Sequence, residues 1–517
     1  MINSDVLWHH AACRPDKAAI VWDGRTYTYA ELAGRVRRLA NALVGLGIGK
    51  GERVGLLATN CVEHAETVFA LSEIGALWVP VNYRLTPSEV GVIVNGVECS
   101  AMVYSADMLE TVEALRDEAT SVRLWIGIGD GAAIGESYDG LLEKAGDGAP
   151  PRRAVPEDLF AIMHTSGTTG LPKGVMVTHR QMLQGFAYSV MEYGARADEV
   201  ALHLLAQFHA GGNMYFMQQF VAGSTIYIHN QFDPDEVLRT IEKERISYAG
   251  LVPSMLIFLL ESERIGKADL SSLGRIQYGA SPIPVDRLAR GLEVLDADFQ
   301  GIYGQTEAAV FVTHLSGGEH RRAVAGGDVG LLESCGRTCI GYDVMIADGE
   351  DKALEPGEVG EVLIRGDSVM SGYWNRPDAT EQTLRGGWLH SGDMGRMDTE
   401  GYIYIVDRKN DLIVSGGENV YPAEVENVIS AHPEVMEVAV VGVPDERWVE
   451  AVKAIVAVRA DADVAEADIV EFCRGKLGGF KIPKSVDFIE ALPRTPTGKV
   501  KKNVLREPFW EGQGRRV

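Results

Sequence analysis

A run of ten residues, Thr165-Ser166-Gly167-Thr168-Thr169-Gly170-Leu171-Pro172-Lys173-Gly174, carries the clearest chemical signal in the chain. Hydroxyls and glycine amides crowded together offer many donors to phosphate oxygens, and glycine lets the backbone approach closely. Lys173 adds a point charge. The run follows a β-type stretch, Leu159–His164, a context unlike that of a solvated hydroxyl-rich linker. It is not a Walker A loop, which places four residues between its glycines and a Lys-Ser/Thr pair directly after the second. Here Gly167 and Gly170 are three apart, and Leu171-Pro172 precede the lysine.

Composition bounds what such a loop can serve. The 517 residues include 49 Lys plus Arg and 73 Asp plus Glu, a formal net charge of −24. Both nucleic acids and anionic membranes need a positive footprint, so neither is an expected partner. The final stretch, 471–517, runs against the trend with 11 Lys/Arg and 5 Asp/Glu, which suits either a solvated basic tail or an anion-facing surface. No basic and apolar leader opens the sequence, and the longest mostly apolar stretch, 249–260, is short of the ~20 residues that span a bilayer, so the expectation is a cytoplasmic protein. Six cysteines in this length make no disulfide framework, and Cys335 and Cys339 lack a second pair at zinc-site spacing, so reduced thiols are expected.

The elements that must hold the loop follow from periodicity. Between 50 and 305, β-type runs (53–58, 77–82, 159–164, 201–205, 225–229, 246–251, 275–279, 299–303) alternate with amphipathic helical patterns (62–76, from 179, 233–245, 253–261, 285–295). That alternation implies βαβ units and parallel sheets covered by helices. After Gly326 the runs 342–347 and 358–365 alternate apolar and polar residues between turns, as in an antiparallel, barrel-like section, and 402–406 is a further strand. The last ~110 residues pattern as a small α+β domain, with helices at 422–430 and 465–476 and strands at 437–443, 451–458 and 485–489.

With the loop and this layout in view, the chain resembles the adenylate-forming superfamily, which includes acyl-CoA synthetases, firefly luciferases and adenylation domains of peptide synthetases. Besides the loop, Tyr303-Gly304-Gln305-Thr306-Glu307 is similar to the YGxTE motif and Gly387-Trp388-Leu389-His390-Ser391-Gly392-Asp393 to the GWxxTGD motif. Asp407-Arg408 through Ser415-Gly416-Gly417-Glu418-Asn419-Val420-Tyr421-Pro422 matches the hinge and the loop after it, and Pro493-Arg494-Thr495-Pro496-Thr497-Gly498-Lys499 the terminal lysine motif. The resemblance implies an α/β fold with a large N-terminal domain of two helix-covered, mostly parallel sheets plus a β-barrel subdomain (1–406), a hinge (407–411) and a small mobile α+β domain (412–517) carrying the catalytic lysine. It implies ATP, Mg²⁺ and CoA as cofactors and a small carboxylic acid as substrate, and it leaves room for a homodimer.

In that family a carboxylate attacks the α-phosphate of ATP to give an acyl-adenylate and pyrophosphate, and a thiol then attacks the mixed anhydride. Carried onto this chain, Thr165, Ser166, Gly167, Thr168, Thr169, Gly170 and Lys173 cradle phosphates. Gly279-Ala280-Ser281, Tyr303, Gly304 and Gln305 line the nucleotide, and Thr306 donates to the α-phosphate. Glu307 holds Mg²⁺, a cation that favours oxygen ligands. Asp393 accepts from the ribose hydroxyls, supported by Arg408. Lys499 offsets the repulsion between two anions in the first step. Rotation about the hinge, at Asn410 where relatives often have Asp or Lys, then replaces it with Gly416 and Gly417, past which the thiol arm runs. Phe480 and Lys481 are candidates for the CoA nucleotide.

Gln207-Phe208-His209-Ala210-Gly211-Gly212-Asn213 resembles the acyl-pocket motif, in which His209 lines the channel near the thiol tunnel and stands with Lys499 and Thr306 among the catalytic candidates. Phe208, Gly211 and Met214 join it in the pocket, although such a stripe is also what a helix core looks like. The motifs lining the acyl site contain no Arg, which a second substrate carboxylate would want. The residues therefore point to a monocarboxylic apolar acid, medium- or long-chain fatty acids ahead of aryl acids of the cinnamate or benzoate type. A luciferase-like oxygenase, separable by light or oxygen uptake, and a non-enzymatic adenylate sensor are the readings from other classes. A mobile lysine at 499 with Thr306 and Glu307 intact argues against the sensor.

Overall fold

The computed structural model describes residues 1–165, 172–281, 283–309, 311–408, 411–415, 418–445, 448–459, 462, 464–495 and 499–510. The chain divides into two compact units, Met1–Pro282, Arg287–Asp343 and Ile364–Leu389 in one, and Ile283–Asp286, Val344–Leu363 and His390–Val517 in the other.

The first unit is built on two large sheets. In one of eight strands, Leu77–Pro80, Arg53–Leu57, Ala101–Ser105 and Leu124–Ile128 run parallel to one another and to Leu159–Thr165, while Lys173–Thr178 and Gly372–Tyr373 close one edge antiparallel. The other has nine strands, with Thr225–Ile228, Val200–His203, Tyr248–Leu251, Arg275–Gly279 and Asp298–Tyr303 parallel at its centre. The central strands are apolar nearly throughout because helices cover both faces, the condition under which a parallel sheet is stable. Local chemistry sets the helix ends. Thr178 and Gln181 form a reciprocal capping box at the start of His179–Tyr193, which stops at Gly194 in a left-handed conformation. Asp233 caps Pro234–Glu244, with proline in its first turn. Each boundary lies within two residues or so of the periodicity-based expectation.

The expected barrel is not formed. Tyr342–Ala347, Gly360–Gly366, Leu389–Met397 and Ile403–Arg408 make an open four-stranded sheet in sequence order, and no closed barrel is found among the described residues. Alternating burial marks an antiparallel sheet covered on one face, but it does not close the sheet, whose outer strands Tyr342–Ala347 and Ile403–Arg408 stand at opposite ends of the order.

The second unit holds a further sheet in which Glu418–Val420, Ile413–Ser415, Val449–Val458 and Val435–Asp445 are neighbours and Ser485–Phe488 pairs parallel to Val449–Val458. Helices Pro422–Ser430 and Glu466–Cys473 pack their apolar faces on it, burying Val425, Ile429, Ile469 and Cys473 against Val440, Val452 and Val456. All six cysteines are free thiols. Among the described residues no helix is long and apolar enough to cross a membrane.

Candidate active site

In the first unit the candidate residues gather at the carboxyl ends of parallel strands, where open α/β sheets leave a crevice for ligands. Gly279 ends Arg275–Gly279 and Tyr303 ends its parallel neighbour Asp298–Tyr303. The two strands approach so closely that a Cβ on Gly279 would lie 2.4 Å from Ile302 Cγ1. Ala280, exposed at the strand end with Ser281, has φ +76°, a left-handed conformation that costs a non-glycine residue of order 1–3 kcal/mol and clusters at functional sites. Gly304 and Gln305 lead into a single 3₁₀ turn, Thr306–Ala308, for which Gln305 is the N-cap residue. Gln305 Nε2 is buried with no hydrogen-bond acceptor among the described residues, a donor suited to a ligand's ring nitrogen or carbonyl.

Thr165 and Lys173 are the facing ends of the antiparallel pair Leu159–Thr165 and Lys173–Thr178, so the hydroxyl-rich loop is the connection between two paired strands. Ser166, Gly167, Thr168, Thr169 and Gly170 lie outside the described residues. Lys173 Nζ stands 4.9 Å from the centroid of the Tyr373 ring. The Tyr373 phenol donates to Glu307 Oε1 at 2.9 Å, and Met370 N–H donates to the Glu307 carbonyl at 2.8 Å. The described residues hold no group of three His, Cys, Asp or Glu able to cage a metal. One half-buried carboxylate beside a phosphate-type loop fits Mg²⁺, which binds through one or two carboxylates together with substrate phosphates and water.

The acyl motif follows strand Val200–His203, also at its carboxyl end. His209 is the N-cap residue of helix Ala210–Ala222, and its Nδ1 accepts from Gly211 N–H at 3.2 Å. A ring nitrogen that accepts carries no proton, so the neutral ring keeps its proton on Nε2. Phe208 packs edge-on against Tyr83, ring centroids 5.2 Å apart. Gly211 lies in the first turn, and Met214 is fully buried against Gly185. Beside this loop is a small cavity of about 10 Å³, room for about one water, lined by residues including His64, Phe69, Gln207, Asn213, Phe216 and Met217. Both ring nitrogens of His64 and Asn213 Oδ1 are buried without hydrogen-bond partners among the described residues. Burial pushes the His64 pKa down to about 3, so the ring is neutral. A wider groove of about 350 Å³ is lined by Tyr83, Arg84, Asp107, Asn230 and Phe232 among others.

In the second unit, Asp393 and Arg408 face each other across antiparallel strands, and Arg408 Nε lies 2.7 Å from Asp393 Oδ1. Asp393 is 2% exposed and its amide donates to Ser391 Oγ at 3.0 Å. The neighbouring Asp407 accepts from Arg408 N–H at 2.7 Å and from Ala423 N–H, in the first turn of helix Pro422–Ser430, at 2.9 Å. Burial pushes its pKa up to about 6, although Lys502 and the two amides pull the other way. Burial works against the Lys502 charge, but Glu426, at 2.8 Å, and Asp407 outweigh it and hold that pKa above the usual lysine value. Lys499 is tied to Thr495: its amide donates to Thr495 Oγ1 at 3.0 Å, and its carbonyl accepts from Thr495 N–H at 2.6 Å. Phe480 is exposed, and Lys481 Nζ is held by both Glu424 carboxylate oxygens at 2.6 Å. Asn410, Gly416 and Gly417 lie outside the described residues.

The structure thus brings Lys173 and Glu307 together through a shared tyrosine and joins Asp393 to Arg408 directly. Sequence reasoning missed Tyr373 and the Asp407–Lys502–Glu426 cluster. A Gly-Tyr-Trp triplet carries no chemical signature of its own, and the cluster joins residues from three separate stretches.

An AMP-binding enzyme model matches residues 7–374, and an AMP-binding enzyme C-terminal domain model matches residues 424–499. The chain is 38% identical over 501 residues to a feruloyl-CoA synthase of Amycolatopsis sp., covering 96% of this chain and 97% of that protein. It is 37% identical over 492 residues to a long-chain-fatty-acid–CoA ligase of Mycobacterium tuberculosis, covering 93% of each. Among solved structures, an anthranilate CoA ligase in complex with anthranoyl-AMP superposes with a TM-score of 0.91 at 26% identity, over 99% of this chain and 98% of that one.

Proposed function

The chain belongs to the AMP-binding enzyme family, and from that premise we infer that it activates a monocarboxylic acid with ATP and passes the acyl group to CoA. The observation that carries this reading is the pairing of a phosphate-side lysine that opens one strand with a metal-side carboxylate just past the end of another, Lys173 and Glu307 on one tyrosine. As an acid–thiol ligase the protein uses ATP, Mg²⁺ and CoA. Bound Mg²⁺ supplies charge neutralisation on phosphate oxygens; every other contribution comes from the chain.

In the first half-reaction a carboxylate oxygen bonds to the α-phosphorus, the bond to the bridging oxygen breaks, and pyrophosphate leaves. Two anions must meet, so the protein's task is to hold positive charge and geometry where negative charge builds. Lys173 and the hydroxyl-rich loop take the β- and γ-phosphates, Thr306 the α-phosphate, Glu307 the metal, and Gln305 Nε2 offers its donor to the nucleotide. Asp393, oriented by Arg408, accepts from the ribose hydroxyls. Lys499 supplies the charge that draws the substrate carboxylate and α-phosphate together. In the second half-reaction the thiol sulfur bonds to the carbonyl carbon, AMP leaves, and the thiol proton is lost to solvent. Residues 407–411 act as a hinge between a domain 1–406 and a domain 412–517, presenting Lys499 for the first step and the Gly416-Gly417 loop for the second.

For the acid, the lining beside Phe208 and His209 favours a compact aryl acid with a hydrogen-bonding substituent. Aromatic walls at Tyr83 and Phe232 suit a ring, and Asp107 and Asn230 in the same groove suit a hydrogen-bonding substituent. The second reading, a medium- or long-chain fatty acid, draws on the apolar Met214, Met217 and Phe216. A panel of hydroxylated and plain cinnamates, benzoates and alkanoates with ATP and CoA, scored for pyrophosphate and thioester separately, tests both. Higher kcat/KM for the hydroxylated aryl acids is the expected result, and a monotonic rise with alkyl chain length would reverse it.

A further inference from the structure

Tyr373 lies outside every motif named above, yet its side chain is shared by two charged candidate residues, Lys173 and Glu307. Its backbone is fixed from two sides. Gly372–Tyr373 pairs antiparallel with the strand that Lys173 opens, Tyr373 opposite Val175 and Gly372 opposite Met176. Trp374 N–H donates to the Gly174 carbonyl at 2.8 Å and Ser371 N–H to the Met176 carbonyl at 2.9 Å. On the other side, Tyr373 N–H donates to Thr380 Oγ1 at 2.9 Å. The turn needs glycine at 372, where φ is +133° and a Cβ would come within 2.7 Å of Thr380 Cγ2.

The side chain is as constrained as its backbone. The residue is 6% exposed, so the ring has one place to lie. A phenol keeps its proton throughout the physiological range and is therefore a donor to the Glu307 carboxylate. Its hydrogen bond engages Glu307 Oε1 and so sets the plane of the carboxylate and the direction of Oε2. The face of the same ring lies near Lys173 Nζ, an arrangement that attracts a cation without neutralising it. Lys173 and Glu307 are thus anchored to opposite features of one ring, and among the described contacts they form no ion pair with each other.

We propose that Tyr373 is a positioning residue that holds the Glu307 carboxylate in its metal-binding orientation and Lys173 on the phosphate side, keeping the two charges apart and ready for a metal–nucleotide complex. This rests on the reading of Glu307 as the Mg²⁺ ligand. An oriented carboxylate loses less freedom when the metal arrives, and a lysine parked on a ring face stays available to phosphate.

The test is calorimetric binding of α,β-methylene ATP with and without Mg²⁺, together with thermal melting. Tyr373→Phe keeps the ring and removes the hydroxyl. It should cut the Mg²⁺-dependent gain in nucleotide affinity about tenfold, leave Mg²⁺-free binding near wild type, and leave the melting profile nearly unchanged. Tyr373→Leu removes the ring as well and should also weaken Mg²⁺-free binding, through Lys173. Glu307→Gln run in parallel separates the two levels of inference. If Glu307→Gln abolishes the Mg²⁺ gain and Tyr373→Phe leaves it intact, the positioning role is wrong while the metal assignment stands. If Glu307→Gln itself leaves the gain untouched, the metal assignment falls and the proposal with it. Adding Tyr373→Phe to Glu307→Gln should cause no further loss of the Mg²⁺ gain, and an additive loss would show that the tyrosine acts by another route.

Discussion

The two units hold the charges of the candidate site in opposite ways, although both contain internal ion pairs, such as Arg35–Glu66 and Arg275–Glu199 in the first. In the first, Lys173 and Glu307 stand at strand ends, braced by an aromatic ring and, among the described residues, in no ion pair. In the second, charges are matched internally: Asp393 with Arg408, Lys502 with Glu426 beside Asp407, Arg506 with Asp411, Lys481 with Glu424 and Arg494 with Glu437. A surface awaiting a polyanion must keep its cations available, whereas a unit that carries one lysine on a loop benefits from being rigid. The contrast also answers the question raised by the basic stretch 471–517. Its surplus was counted along the chain, but partners for Lys481, Arg494, Lys502 and Arg506 lie upstream, between 411 and 437. Much of the apparent anion-binding surface is therefore consumed in folding.

The largest expected effect concerns the lysine that the second unit carries. Lys499→Ala should lower acid-dependent ATP–pyrophosphate exchange by about 10³-fold or more, while thioester formation from supplied acyl-adenylate stays within a few-fold of wild type. Equal loss of both steps would erase the division of labour between the units.

Next in size is the cost of opening an internal pair. Lys502→Met leaves Glu426 and Asp407 without their cation and should destabilise the protein by about 3 kcal/mol in urea unfolding, whereas Lys173→Ala, on the open side, should cost less than about 1 kcal/mol and instead raise the KM for ATP. Similar stability losses from both would mean that the two regions do not differ as argued.

The smallest effect is a pH dependence. The folded pKa of Asp407, about 6, is above the ordinary aspartate value. Its protonated form is therefore favoured by folding, so the stability it contributes is complete below about pH 4 and is lost as pH rises through 6. Asp407→Asn should remove a rise of order 2 kcal/mol between pH 7.5 and pH 4.5, seen as the difference between wild-type and variant unfolding curves. Parallel curves for the two proteins would place the titration elsewhere.

Much of this layout was legible in the residues, and the failures have physical causes. Strand and helix periods located the elements to within a residue or two at Arg275–Gly279, Pro253–Glu261, Tyr342–Ala347 and Pro422–Ser430, because long buried runs leave little ambiguity. The Asp393–Arg408 pair was legible as two loop motifs, but their direct contact depends on strand register, which no motif states. Tyr373 was invisible because its partner Glu307 is 66 residues upstream and the two meet only after Gly372–Tyr373 adds to a sheet edge. The barrel expectation failed because alternation reports which face is covered, not whether a sheet closes.

The central claim is that this chain makes an acyl-adenylate, and oxygen tracing tests it most directly. With a turned-over acid labelled with ¹⁸O in both carboxylate oxygens, attack on the α-phosphorus and later release of AMP must carry one labelled oxygen into AMP. Mass spectrometry should find a single ¹⁸O in the AMP phosphate and none in pyrophosphate. Label in inorganic phosphate with ADP as the nucleotide product, or AMP free of label while thioester accumulates, would contradict the account.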